Sequence, residues 1–174
     1  MSFEDLLLGN YKTVVARLGL TLDGALGLGH VRIYGILDGI PIQMYFGPHS
    51  THTTAPLTAV APVDLSVATK GIFEKIASVF HERHQGLGDE AFDKVFSVES
   101  SDPKKVAALV DYGARKTLLE LADEGLHPAF DAHAIHLRRF SNGGSDSEAS
   151  IERHFRETVR LARSLGAAFG DASV

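Results

Sequence analysis

The sequence predicts an α+β fold: a mostly antiparallel sheet with N-terminal, central and C-terminal helices packed on it, forming a single domain over residues 1–174. Three observations carry this expectation. Apolar residues recur at three- and four-residue intervals at both ends of the chain. Asp38-Gly39 lies between two strand-like segments, as a type I′ hairpin turn does. The stretch from Gly88 to Leu121 joins an apolar extended segment to a helix start.

In chain order, Ser2 and Asp5 have the spacing of a capping box, and Phe3, Leu7, Tyr11, Val14 and Leu18 follow on one helical face until Gly19. Packing on its own sheet is the expected use of this helix. Residues 24–29, GALGLG, read as a flexible connection. Their glycines do not have phosphate-loop spacing, and they precede a strand instead of opening a helix. From His30 to Phe46 the hairpin pairs Leu37 with Ile40, Gly35 with Ile42, Ile33 with Met44 and Val31 with Phe46 on an apolar face. Arg32 and Tyr45, Tyr34 and Gln43, and Ile36 and Pro41 share the mixed face. Pro41 has no N–H to donate, so the start of the second strand should have a free edge.

Gly47–Pro56 reads as a polar loop and Leu57–Leu65 as a third strand with an edge or bulge at Pro62. Thr69 is placed to cap a short helix that turns Ile72, Phe73, Ile76, Ala77 and Phe80 inward. Phe92, Phe96 and Val98 then share one side of an extended strand. Asp102 is the next N-cap and Pro103 the first helical residue, where a missing N–H is harmless. One helix should carry Val106, Val110, Gly113, Leu118 and Leu121 and stop at Gly125. Phe130–Phe140 reads as a further strand and Ser141–Ser147 as a surface loop. A last helix reads from about Glu148 to Ala168, with Ile151, Phe155, Val159, Ala162, Leu165 and Phe169 at helical spacing.

A net charge of −5 argues against a general nucleic-acid binder, whose affinity comes from many cations on phosphates. Without cysteine the chain has no disulfide, thiolate nucleophile or cysteine zinc site, which is compatible with a reducing compartment. The N-terminus carries Glu4 and Asp5 and lacks the apolar core of a secretory signal, and no apolar run approaches the length of a membrane span. We expect a cytoplasmic protein with neither a nucleic-acid nor a membrane partner.

Three His-x-x-His pairs occur, at His49 and His52, His81 and His84, and His133 and His136. Only on a helix do residues three apart share a side, so His81 and His84 are the candidate metal clip, with His49, His52 or Asp89 as a third ligand. HERH lacks the HExxH spacing of zinc proteases. No cofactor is expected; the alternative is a divalent metal such as zinc. Arg153, Arg156, Arg160 and Arg163 form a basic stripe opposite the apolar face of the last helix, with Arg138 and Arg139 as possible neighbours. They are candidate partner-binding residues for an acidic or phosphate-bearing group. The competing reading is a solvated helix face balanced by Glu152 and Glu157. No G-x-S-x-G elbow is present, and Asp89, Glu90 and Asp93 read as solvated acids at the start of a strand.

Phe92-Asp93-Lys94-Val95-Phe96-Ser97-Val98, followed by Asp102, resembles an F-[DE]-K-x-F-x-V-x-x-x-D motif of an uncharacterised bacterial domain family. The likeness covers about the middle third of the chain. It implies a strand followed by a helix and carries no established activity.

These readings favour a non-enzymatic cytoplasmic protein-binding or assembly module. Its partner would be another protein, as in a small acidic chaperone, or a second copy joined through a hairpin edge or the terminal helices. The alternative is a metal-dependent enzyme built on His81 and His84.

Overall fold

The computed structural model describes residues 3–24, 31–46, 49–70, 86–140 and 146–171. Helix α1 (Phe3–Leu18) ends where Gly19 adopts φ +67°. Gly19 N–H then donates to the Ala16 carbonyl at 3.3 Å and Leu20 N–H to the Val15 carbonyl at 2.9 Å, the paired bonds that a left-handed residue permits at a helix end. Strand β1 (Thr21–Asp23) leads to the hairpin of β2 (Arg32–Leu37) and β3 (Ile40–Phe46). Its register is the predicted one from Leu37 opposite Ile40 to Arg32 opposite Tyr45. Asp38 and Gly39 both have positive φ, 51° and 82°, as a type I′ turn requires.

Beyond the hairpin the strands differ from expectation. The polar segment read as a loop contains β4 (Ser50–Pro56), and the predicted strand at 57–65 is a connection, with only Leu65 entering β5 (Leu65–Thr69). Thr51 and Thr53 are β-branched and buried by alternation, which outweighs the polarity of the segment. The connection is held by Leu57 N–H on the His133 carbonyl at 2.7 Å and Ala61 N–H on the Ala132 carbonyl at 2.9 Å. Thr69 closes β5, and the helix predicted after it lies outside the described residues.

Phe92 belongs to a helix, α2 (Glu90–Val95), instead of the predicted strand. Asp89 caps it, its carboxylate accepting Phe92 N–H at 3.1 Å. Strand β6 (Phe96–Ser100) begins at the next residue, and Phe92 stacks on Phe96 with ring centroids 4.5 Å apart. Phe92, Phe96 and Val98 are all buried, as predicted.

Asp102 caps α3 (Pro103–Leu109) as read, accepting Lys105 N–H at 3.1 Å. The single helix predicted from there is divided, because Asp111 caps a second one, α4 (Tyr112–Asp123), by accepting Ala114 N–H at 2.8 Å. Arg115 spans the break and donates to the carbonyls of Val110 and Ala107, each at 2.7 Å, satisfying acceptors that the end of α3 leaves open. Gly125, at φ +77°, stops α4.

The strand predicted at 130–140 is most of a hairpin, β7 (Leu126–Asp131) and β8 (Ala134–Phe140). Asp131 reverses the chain by accepting His133 N–H at 2.7 Å and Ala134 N–H at 2.9 Å. Helix α5 (Glu148–Asp171) extends slightly past its predicted end.

The eight strands form one antiparallel sheet in the order β1-β2-β3-β4-β8-β7-β5-β6. The hairpin β2–β3 lies inside it, but the β3–β4 register ends at Gln43 opposite Thr54. Continued, it would set Pro41 against Pro56, two residues without N–H, so the free stretch expected at Pro41 is present. Ile33, Ile42, Met44, Ala55, Leu137, Phe130, Val67 and Val98 alternate to one face, over which α5 packs Ile151, Phe155, Val159, Ala162, Leu165 and Phe169. Helix α5 approaches the 57–64 connection at Gly166, where a Cβ would sit 2.6 Å from Thr58 N. The residues of α1 and α3 join the same core.

Thr53 and His154 are among the polar side chains buried in this layer, with Thr51 and Thr158. Thr53 Oγ1 is buried with no hydrogen-bond partner among the described residues, and His154 Nε2 donates to the Leu137 carbonyl at 3.2 Å. Burial is the main reason the His154 imidazole is pushed down to about 4, with Arg139 and His52 adding to it; the Leu137 carbonyl and Asp146 oppose it.

Replacing the unpaired hydroxyl by a methyl group in Thr53→Val should raise unfolding stability by about 1 kcal/mol in urea titration. A loss of stability would mean that the hydroxyl is bonded. Between about pH 6.5 and 4 the unfolded chain binds a proton at His154 that the folded chain refuses, so stability should fall as pH drops through that window. The His154 share is about 3 kcal/mol, and His154→Gln should remove that share of the slope while leaving the part contributed by the other lowered imidazoles, His52 and His127.

Candidate functional site

The second face of the sheet is organised in rows across the strands, because paired residues on neighbouring strands point the same way. The registers place Asp23, Arg32, Tyr45, His52, Arg138 and His127 in one row over β1, β2, β3, β4, β8 and β7. A parallel row holds Tyr34, Gln43, Thr54 and His136. Ile36, Tyr45 and Phe140, all on this side, are 67%, 45% and 44% exposed. Among the described strand residues of this face, only Ala68 and Ser97, paired across β5 and β6, are buried.

Local geometry gives the row its character. His52 and His136 stack across β4 and β8 with ring centroids 5.4 Å apart and planes 24° apart. His136 Nε2 lies 3.7 Å from Asp131 Oδ2, and its buried Nδ1 has no hydrogen-bond partner among the described residues. Tyr45 donates its hydroxyl to Gln43 Oε1 at 2.6 Å. Arg32 pairs with Asp23 at 3.1 Å and lies over the Tyr34 ring, 4.9 Å from its centre. His127 meets Phe140 edge to face at 5.0 Å.

Burial first, then His136 and Arg138, push the His52 imidazole down to about 4. Burial and then Arg138 lower His127 as well. A general base at neutral pH works best with a pKa near the working pH, so a neutral, weakly basic His52 suits recognition better than proton transfer.

The sequence-predicted sites fall elsewhere. The metal candidates His81 and His84 lie outside the described residues. Among the described residues, no group of three or more His, Cys, Asp or Glu side chains is arranged to hold a metal ion. The other two His-x-x-His pairs are split by the fold: His49 precedes β4 and His133 sits in the β7–β8 turn, while His52 and His136, one from each pair, come together. Asp89 caps α2 and lies 3.7 Å from Arg115. Asp93 accepts Leu87 N–H at 2.7 Å and Gly88 N–H at 3.0 Å, a turn-holding role in place of a solvated one.

The arginine stripe does run along α5, and each member has an acceptor within the chain. Arg153 pairs with Glu124 at 2.6 Å, Arg156 with Glu152 at 2.8 Å and Arg160 with Glu157 at 2.7 Å, while Arg163 donates to the Asp38 carbonyl at 2.7 Å. Glu152 also takes Arg17 of α1 at 2.9 Å, and the hydrogen bonds from Arg156 and Arg17 hold its carboxyl below the usual range.

On the covered face, Arg139 reaches Asp146 at 3.0 Å and bonds the Ser150 hydroxyl. Asp146 also accepts the Tyr11 hydroxyl at 2.6 Å, and burial together with this bond raises the phenol above its ordinary range. This cluster ties α1 to the start of α5 and faces inward.

The pairing of Arg32 with Tyr45 was legible in the hairpin. The rest of the row was missed because it requires β4, and the available signal there was the alternation of threonines around His52. No helix among the described residues is long and apolar enough to cross a membrane.

Comparison with known proteins returns no matching protein-family model and no matching curated protein. Among solved structures, the chain is similar to the crystal structure of the mycobacterial trehalose monomycolate transport factor A, TtfA. The TM-score is 0.62 and the sequence identity 11%, with 93% of each chain covered. At that identity, what the two chains share is a fold.

Proposed function

We propose that this protein is a non-enzymatic, cytoplasmic binding or assembly module that holds a protein partner on the second face of its sheet. The observation that carries this reading is the asymmetry of the sheet. One face is packed by α5, and the other presents exposed Ile36, Tyr45 and Phe140 around an arginine–histidine row. Aromatic residues and arginine are enriched at protein interfaces, where rigid rings bury much area at low entropic cost. The internal ion pairs of Arg153, Arg156 and Arg160 favour this face over the α5 stripe, since a partner would first have to displace carboxylates already in place. The similar fold of a protein described as a trehalose monomycolate transport factor adds support for an accessory role.

A photo-crosslinking residue introduced at Tyr45 and, separately, at Arg156 tests the reading in cells. Covalent adducts with one or a few proteins, or with a second copy of the chain, are expected from position 45 and not from position 156. Adducts from 156 alone would move the site to the helix stripe, and none from either position would contradict a binding role.

A further inference from the structure

Arg138 stands apart from the other arginines. Every other described arginine has a carboxylate within 4.0 Å or, for Arg163, a carbonyl at 2.7 Å. Arg138 has neither among the described residues, although it is half-buried between His52 and His127. A guanidinium in that position is only partly screened by water, and its field reaches the imidazoles on both sides. Tyr45 and Phe140 supply exposed aromatic surface on the same side.

Resting on the reading of this face as protein-binding, we propose that the row Tyr45–His52–Arg138–His127 receives a short acidic segment of a partner protein, one carboxylate of which pairs with the Arg138 guanidinium. Charge complementarity is the ground for an acidic occupant: the row holds a fixed positive charge that no carboxylate among the described residues has taken. Strands about 4.8 Å apart give the row a length of about 14 Å, the reach of about four extended residues. The Asp23–Arg32 ion pair bounds one end, where Asp23 would repel a longer acidic run.

The groups that share the site determine its response to acid. His52 comes from β4, His136 from β8, His127 and Asp131 from β7 and Tyr45 from β3, while Lys70 at the end of β5 gives its ammonium to the Asp93 carbonyl at 2.6 Å. Burial does most to keep His52 neutral, with His136 and then Arg138 adding to it; a carboxylate on Arg138 cancels the last of these, so bound peptide favours protonation of His52. By reciprocity, acid favours the bound peptide.

The test is fluorescence anisotropy with the full chain and a dye-labelled, Glu-rich peptide of about six residues, at about pH 7.5 and about pH 5.5, where glutamate stays ionised. Saturable binding is expected, tighter at the lower pH and weakened about tenfold or more by Arg138→Gln. Arg156→Gln should leave it unchanged, and His52→Asn should retain binding while losing most of the pH dependence. In NMR titration the His52 ring should protonate at higher pH with peptide than without. No binding, binding indifferent to Arg138→Gln, or equal binding of an uncharged peptide overturns the inference. Saturation by inorganic phosphate in place of the peptide overturns it too and assigns the row to small anions. Crosslinks at position 45 without acidic-peptide binding would leave the partner-binding reading standing and remove only the acidic partner.

Discussion

The pairing of β4 with β8 is the constraint on which the rest of the molecule depends. It runs from Ser50 opposite Phe140 to Pro56 opposite Ala134 and joins the N-terminal strands to the C-terminal ones. Thr53 and Ala55 set against Leu137 and Ile135 make the floor on which α5 lies. A shift by one residue would reverse the faces, putting Leu137 in water and the arginine–histidine row under the helix. Register at this seam therefore determines both the core and the surface.

The two faces follow from this. Helix α5 buries an apolar stripe against the seam, and α1 is fastened to α5 by Arg17 on Glu148 and Glu152 and by Tyr11 on Asp146. The opposite face inherits what alternation leaves, namely His52, Thr54, His136 and Arg138. Arg138 has no carboxylate within reach there among the described residues, while Arg153, Arg156 and Arg160 of α5 each pair with one.

Legibility in the sequence tracked the locality of the cause. The Asp38-Gly39 turn, the Gly19 stop, the Asp102-Pro103 start and the stripe of α5 depend on neighbours within a few residues, and each formed as read. Phe92 and Phe96 are four apart, a spacing that serves a helix turn and a strand face alike, and the Asp89 cap decides between them. Asp111 and Asp131 did the same kind of work unrecognised, one splitting a helix and the other folding a strand into a hairpin. Strand β4 was obscured by its serine, histidine and threonines, of which Thr51 and Thr53 alternate to the helix-covered face and are buried by position and not by hydrophobicity. With β4 unread, the stacking of His52 on His136 and the setting of Arg138 between His52 and His127 had no visible basis.

Because the chain contains no cysteine, the two-faced seam can be measured directly by placing single cysteines at positions 51 to 55 of β4, one at a time, and timing their reaction with a water-soluble thiol reagent. The structure predicts alternation, with positions 52 and 54 reacting fast and positions 51, 53 and 55 slowly. Uniform reactivity, or the opposite alternation, would contradict the seam and the open face built on it.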